Sequence, residues 1–249
     1  MKSKVLLTIL LLIAVSAAAR PASAACSNAS LQGGYGFLIT GVNINGFMAA
    51  IVGQITSDGN GHLTGSETIN NNGVVASHIA ATGSYSIKAN CTGTAMITPS
   101  GMPTAKYSLT VVSAGKQIEM VESDPGTTES GYALAQGVTN CTAATIGGIF
   151  GYQAFGFTPS GIAVAFSGQA KLDGISSLNA NQVESIGGNI ISGPVSGTYV
   201  VNSDCTGSHS VTFNGGPAHA NWVIVSGGKT TLQVETDTGV ISTTTANKQ

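Results

Sequence analysis

The sequence predicts an all-β protein made of two tandem, homologous antiparallel domains. Three observations support this fold class: an internal repeat about as long as a domain, short runs of alternating apolar and polar residues between turn signals, and a composition rich in Val, Ile, Thr, Ser and Gly. These residue types favour strands and tight turns over helices. No amphipathic helix is predicted after residue 25.

The first segment, residues 1–24, has the layout of a secretory signal peptide. Lys2 and Lys4 precede an apolar run over residues 5–15, and small residues at Ala22 and Ala24 predict cleavage after Ala24. The run is shorter than the ~20 residues needed to span a bilayer, so no stable membrane span is expected after cleavage. "SAAC" lacks a large aliphatic residue three places before Cys26, so a lipid anchor at Cys26 is not expected. The layout is typical of bacteria and predicts a secreted or periplasmic protein.

The charge balance of the mature chain excludes several classes of partner. Lys2, Lys4 and Arg20 leave with the signal, so six lysines and no arginine remain against 11 acidic residues, a net charge near −5. Nucleic-acid binding needs a basic surface, and so does attraction to an anionic membrane. Neither partner is expected, and the sequence carries no indication of oligomeric state.

The repeat divides the chain into two domains. "CSNASLQGGYGF", from Cys26, aligns without gaps on "CTAATIGGIFGY", from Cys141, and "GSYSIKANCTGT" aligns on "GTYVVNSDCTGS". "VVSAGKQIEMVESDPG" aligns on "IVSGGKTTLQVETDTG" in the same order. Each copy is about 115 residues long, the size of a whole domain rather than of a solenoid unit. The predicted domains are residues 26–139 and 140–249.

Each half reads as about eight short strands, and the fourth strand of the first half is predicted as "HIAATGSYSIKA", beginning at His78. "SDGNGH" is the strongest hairpin signal, because Asp-Gly and Asn-Gly pairs supply the positive φ angles of a tight turn. In "KYSLTVV" Tyr107, Leu109 and Val111 share one face, and "NWVIV" puts Trp222 and Ile224 at the positions of Leu109 and Val111. A period of two predicts antiparallel strands with one buried face. Eight meandering strands suit a small closed barrel, and a β-sandwich is the alternative.

Short motifs near the start of each half carry a resemblance to a known family. "GGYGF", with Gly33 and Tyr35, and "GIFGY", with Gly148 and Phe150, resemble a variant of the G-x-W opening of lipocalin-like (calycin) barrels. The resemblance implies a closed barrel of about eight strands and transfers no ligand. The whole pattern also resembles duplicated secreted bacterial β-proteins of unassigned function.

The four cysteines follow the repeat. Each half begins with one cysteine and carries the other in a "C-T-G" turn. Four cysteines allow three pairings, and the repeat favours Cys26 with Cys91 and Cys141 with Cys205. Each disulfide would link the first strand of a domain to its mid-domain hairpin. A metal or redox pair is disfavoured because no C-x-x-C spacing and no nearby histidine accompany these cysteines.

Residues capable of chemistry are few and scattered. No two histidines have metal-ligand spacing, "SDGNGH" lacks the distal Glu of an EF-hand, and no cofactor motif is present. No cofactor and no metal are therefore predicted. The acidic pattern shared by both halves is Glu122 with Asp124 and Glu235 with Asp237. An enzyme using one of these carboxylate pairs is an alternative, although Asp before Pro-Gly or Thr-Gly also begins a turn.

The sequence favours a secreted, non-enzymatic protein that binds a small, uncharged, mostly apolar molecule inside a barrel. A structural or surface-interaction protein is the main alternative. An eight-stranded barrel is either filled by its side chains or holds one small ligand. The side chains predicted to face such a cavity are Tyr35, Phe37, Tyr85, Tyr107 and Leu109 in the first half and Phe150, Tyr152, Tyr199, Trp222 and Ile224 in the second.

Overall fold

A computed structural model describes residues 25–249. These residues form two closed antiparallel barrels of eight strands each, which confirms the predicted fold class and decides for barrels over sandwiches. The predicted signal peptide, residues 1–24, lies outside the described residues. The described part of the chain contains no helix with the length and apolarity to cross a bilayer.

Barrel 1 is an up-and-down meander in which each strand pairs with the next. Its sheet closes where β8 pairs with β1, so no strand edge is left open. Its strands are β1 (Gln32–Val42), β2 (Met48–Asp58), β3 (His62–Asn71), β4 (Val74–Ile87), β5 (Thr92–Pro99), β6 (Ala105–Val112), β7 (Gln117–Glu122) and β8 (Thr128–Ala135).

Barrel 2 repeats the same order and closes where β16 pairs with β9. Its strands are β9 (Gly148–Phe157), β10 (Ala163–Leu172), β11 (Ser177–Ile186), β12 (Asn189–Val201), β13 (Thr206–Phe213), β14 (Gly216–Val225), β15 (Thr230–Glu235) and β16 (Ile241–Lys248). The two barrels lie within the two predicted domains. A short connection over residues 136–147 joins them.

One strand differs from the sequence-based prediction. β4 begins at Val74, four residues before the predicted start at His78. The preceding turn is Asn72–Gly73, with φ angles of 52° and 84°, the left-handed pair that joins strands directly in a tight hairpin. The pairing of β3 with β4 then shifts register between Glu67 and Ile69. Because of this irregularity, apolar and polar residues do not alternate regularly at the beginning of β4, and the sequence does not mark where the strand starts.

A short 3-10 helix and a disulfide lie at one end of each barrel, the disulfide end. The helices are Asn28–Ser30 and Ala143–Ile146, and each comes just before the first strand of its barrel. Cys26 is bonded to Cys91 and Cys141 to Cys205, as predicted, each pair with a Cα–Cα distance of 4.9 Å. Two disulfides indicate an oxidising location, extracellular or periplasmic.

An apolar interface joins the walls of the two barrels. β1 and β2 of barrel 1 pack against β14, β15 and β16 of barrel 2. Gly36 permits this close approach, because an added Cβ would lie 2.5 Å from a methyl carbon of Val225. The buried side chains of this interface are Leu38, Ala50, Val52, Val223, Val225, Leu232, Val234 and Ile241.

Asn70 is a buried polar link across this interface. Its side chain is fully buried, and its Nδ2 donates to the backbone oxygens of Glu235 (2.8 Å) and Val240 (3.0 Å). Its Oδ1 accepts from the backbone N–H of Gly73 at 2.9 Å. All three bonds sit at the end opposite the disulfides, so Asn70 aligns that end of the two barrels.

Replacement of Asn70 by alanine is expected to lower the free energy of unfolding by about 2–4 kcal/mol, because two backbone oxygens and one N–H lose a buried partner. Urea denaturation measures the loss. Asn181→Ala, which removes an exposed strand asparagine, is the control and should change stability by less than about 0.5 kcal/mol. Equal effects of the two substitutions would contradict the bridging role of Asn70.

Candidate functional site

The interiors of the two barrels differ in free space. Barrel 2 encloses a cavity of about 350 Å³, whereas the space among the aromatic side chains of barrel 1 is about 20 Å³. A ligand cavity is typically ~300–1,000 Å³, so only the space in barrel 2 is large enough for a small molecule. The cavity opens at the end opposite Cys205, where Phe213, Gly216, Asp237 and Val240 form the rim, and this end is called the mouth.

The cavity residues predicted in the first half form a packed core. Tyr35, Phe37, Tyr85, Tyr107 and Leu109 belong to one cluster and are at most 7% exposed. The Tyr35 hydroxyl donates to the Gly115 oxygen at 2.8 Å, and the Tyr85 hydroxyl lies 3.0 Å from the Asn28 oxygen. These side chains pack together in the core of barrel 1 and leave only about 20 Å³ of free space among them.

Four of the five residues predicted in the second half line the cavity: Phe150, Tyr152, Tyr199 and Trp222. The rings of Tyr199 and Trp222 meet edge to face with centroids 6.3 Å apart. Ile224 also points inward but is completely buried below the cavity, beside Ile146 of the 3-10 helix, and does not line it. The deep half of the cavity is therefore largely aromatic.

Smaller or more polar side chains in barrel 2 account for the open space. The strand registers place Ala170 where barrel 1 has Ile55, and Gln233 where it has Met120. Thr231 likewise takes the place of Ile118. Each of these changes removes apolar volume from the middle of the barrel, so the same backbone frame encloses a cavity.

The two barrels also differ in which of two neighbouring strands carries an inward ring. In barrel 1 the cross-strand pair is Ala95 with Tyr107, and in barrel 2 the equivalent pair is His209 with Ala220. His209 points inward, and the accessible part of its ring faces the cavity. Enclosure by the protein lowers the pKa of His209 to about 4, with a smaller contribution from His219. His209 is therefore neutral at neutral pH.

Polar groups on β11 face the upper part of the cavity. The Tyr152 hydroxyl donates to Oε1 of Gln182 at 3.0 Å, and burial raises the pKa of Tyr152 to about 12. Glu184 lies two residues beyond Gln182 on the same face of the strand, and burial raises the pKa of its carboxyl group. This wall carries one amide and one carboxyl group in an otherwise apolar surface.

Glu235 and Asp237, one of the two predicted carboxylate pairs, lie at the mouth on the opposite wall. Burial, followed by the hydrogen bond that the protonated Glu235 carboxyl donates to Asp237, raises the pKa of Glu235 well above its ordinary value. Burial would also raise the pKa of Asp237, but hydrogen bonds with Glu235 and His219 lower it. His219 binds Asp237 through its backbone N–H at 2.7 Å and its Nδ1 at 2.8 Å. The two carboxyl groups are therefore hydrogen-bonded to each other, and His219 holds the pair in place.

The equivalent pair in barrel 1 is Glu122 and Asp124. Asp124 accepts from the backbone N–H of Lys106 at 2.7 Å, as Asp237 does from that of His219. Glu122 instead belongs to a buried carboxyl cluster with Glu67 and Glu129. Burial raises the pKa values of Glu67 and Glu129 to about 7.

Sequence reasoning missed the inward positions of Glu67, Gln182, Glu184 and His209. A signal was present for the first three, because Leu63 and Leu178 begin alternations that place these residues on the buried face. His209 had such a signal as well, because Val211 and Phe213 alternate with serine and threonine on β13 and place His209 on the apolar face.

The loop at "SDGNGH" is a hairpin turn. Oδ1 of Asp58 accepts backbone N–H groups of Asn60, Gly61 and His62 at 2.7–3.0 Å, and these bonds hold the pKa of Asp58 well below its ordinary value. Within residues 25–249 no group of three or more His, Cys, Asp or Glu side chains is arranged to hold a metal ion.

Comparison with known proteins adds no assignment. No protein-family model matches the chain, and no curated protein matches it significantly. The fold and the cavity define the molecule as a duplicated eight-stranded barrel protein with one filled and one hollow copy.

The buried carboxyl of Glu67 is expected to make stability fall as the pH rises. Its pKa is about 7 in the folded protein and 4.5 when solvated, so the folded state binds more protons between these values. Its contribution to stability is therefore complete below pH 4.5 and is lost as the pH rises through 7. Between pH 5 and pH 8, the unfolding free energy of Glu67→Gln should therefore fall by about 2–3 kcal/mol less than that of the unmodified protein.

Urea denaturation at the two pH values measures this effect. Glu119→Gln removes an exposed carboxylate from the outer face of the same barrel and serves as the control. It should leave the pH dependence as it is in the unmodified protein. A Glu67→Gln variant with unchanged pH dependence would mean that Glu67 is already ionised in the folded protein at pH 5.

Proposed function

We propose that the protein is a secreted or periplasmic bacterial binding protein that holds a small, mostly apolar molecule in barrel 2. The observation that carries the proposal is the cavity of about 350 Å³ inside a barrel whose homologous copy is filled. A dry cavity of ~150 Å³ already binds benzene, so one of this size accommodates a molecule of two or three rings.

The lining supports a mostly apolar ligand. Most of the surface of the cavity consists of aromatic and aliphatic side chains, and its polar groups gather on two walls near the mouth. No lysine or arginine lines it, so an anion would meet no compensating charge. A molecule with an apolar body and no negative charge is the simplest fit.

The compartment is consistent with this role. Residues 1–24 have the pattern of a bacterial secretory signal, and both disulfides require an oxidising location. The proposal includes no lipid anchor at Cys26, because Cys26 is bonded to Cys91.

The structural alternative rests on barrel 1. A filled barrel with a disulfide and an extensive apolar interface suits a rigid support, and under this alternative barrel 2 would have the same role. An enzymatic role for Glu235 and Asp237 is not part of the proposal. Their hydrogen bonds with His219 and with each other suit a fixed rim, and we propose a non-enzymatic protein.

A cavity-filling substitution tests the proposal. Ala170→Ile copies the side chain that barrel 1 has at Ile55 and occupies the middle of the cavity. The unmodified protein should bind the uncharged dye N-phenyl-1-naphthylamine, with enhanced dye fluorescence and quenching of Trp222, the only tryptophan in the chain. Ala170→Ile should weaken binding about tenfold or more, which corresponds to ~1.4 kcal/mol.

Ala165→Ile is the matched control, because it adds the same volume on the outer face of the same strand. It should bind the dye as the unmodified protein does. If the unmodified protein leaves the dye unbound, or if Ala170→Ile binds it equally well, the cavity is not a binding site and the structural alternative is favoured.

A further inference from the structure

We propose that the ligand of barrel 2 is an amine whose ammonium group lies between Glu184 and Glu235 while its apolar body extends toward Tyr199 and Trp222. This inference rests on the proposed function, because it assigns a head group to the molecule that occupies the same cavity.

The two carboxyl groups face the cavity from opposite walls. Glu184 lies on β11 and Glu235 on β15, and three strands separate them in either direction around the closed barrel. Both side chains line the cavity. They are close enough for the charge of Glu184 to contribute to the raised pKa of Glu235. A cation in the upper cavity would therefore have a carboxyl group on each side.

The remaining titratable groups around the cavity add no positive charge. His209 on β13 is neutral above about pH 4, and the phenols of Tyr152 and Tyr199 are neutral because burial raises their pKa values. His219, outside the rim, is paired with the Asp237 carboxylate. Lys248 lies at the disulfide end, with its Nζ 5.9 Å from the centre of the Phe150 ring. The mouth is thus an acidic region that no lysine or arginine lines.

Aromatic rings lie where they would stabilise an ammonium group. Phe166 is the direct cross-strand partner of Glu184, and its ring meets that of Tyr152 edge to face at 6.4 Å. A cation attracted to a ring face and to a carboxylate at once is held by two independent electrostatic interactions. An alcohol at the same place would have only the hydrogen bond.

Glu184 distinguishes the hollow barrel from the filled one. The register of β10 with β11 pairs Phe166 with Glu184, and the equivalent pair in barrel 1 is Ile51 with Ile69. An inward apolar side chain in the filled copy is thus a carboxylic acid in the copy that has a cavity. The acid lines the open space beside Gln182, with which it forms a hydrogen bond.

Binding of an amine should be coupled to release of a proton. Without a cation, burial favours the protonated form of Glu184 and Glu235, since it raises both pKa values. An ammonium group between them favours the ionised form, so bound carboxyl groups lose protons to solvent. An uncharged ligand would cause no such release.

Four probes with the same phenylethyl body test the head group: 2-phenylethylamine, 2-phenylethanol, ethylbenzene and 3-phenylpropanoate. Isothermal titration calorimetry with the full mature chain at pH 7 gives the affinities, and Trp222 fluorescence confirms that barrel 2 is the site. The amine should bind about tenfold or more tightly than the alcohol, and the carboxylate most weakly. Repeating the amine titration in buffers with different ionisation enthalpies should reveal proton release.

Glu184→Gln keeps the size of the side chain and removes its charge. It should weaken binding of 2-phenylethylamine about tenfold and leave 2-phenylethanol and ethylbenzene unchanged. Glu119→Gln, which removes an exposed carboxylate from barrel 1, should change none of the four affinities.

The outcomes separate the two proposals. Equal affinities for amine, alcohol and hydrocarbon, or an amine affinity unaffected by Glu184→Gln, would overturn the ammonium site and leave the apolar binding function standing. Tightest binding of 3-phenylpropanoate would overturn the ammonium site as well. Failure of all four probes to bind would contradict the binding function itself.

Discussion

Closure of each sheet is the constraint on which the other features depend. Because β1 pairs with β8 and β9 with β16, every strand has two neighbours and alternate side chains must point into a common interior. Eight strands set the width of that interior. Whether it is solid or hollow then depends only on the sizes of the inward side chains. Ile55 and Met120 fill one copy, and Ala170 and Gln233 leave the other open.

The filled barrel also supports the hollow one. A barrel with a cavity loses internal contacts, and packing of its β14–β16 wall against β1 and β2 supplies contacts from outside. Asn70 reaches across this interface to the backbone at Glu235, a residue of the proposed ammonium site. The interface therefore positions one wall of the cavity mouth, and the duplicated copy contributes to the site without contacting a ligand.

Much of the fold was predictable because its signals are local. The alternation of Tyr107, Leu109 and Val111 identified a strand and its buried face, and the hairpin at Asp58 follows from turn chemistry within five residues. The start of β4 was wrong because a register shift after Glu67 interrupts the alternation. The carboxyl pairs were found as a repeated pattern, but Glu184 was overlooked because its counterpart in the repeat is an isoleucine.

The sequence by itself determined the duplication, the strand content, the disulfide pairing and the inward position of the aromatic side chains singled out in each half. These properties depend on residue spacing and on the equivalence of two copies. Only the tertiary structure decided that barrel 1 is solid and barrel 2 hollow, and that Glu184 and Glu235 face each other across the cavity. The physical reason is that free volume is what remains after side chains from eight strands meet. That remainder depends on strand register and packing between residues far apart in the chain.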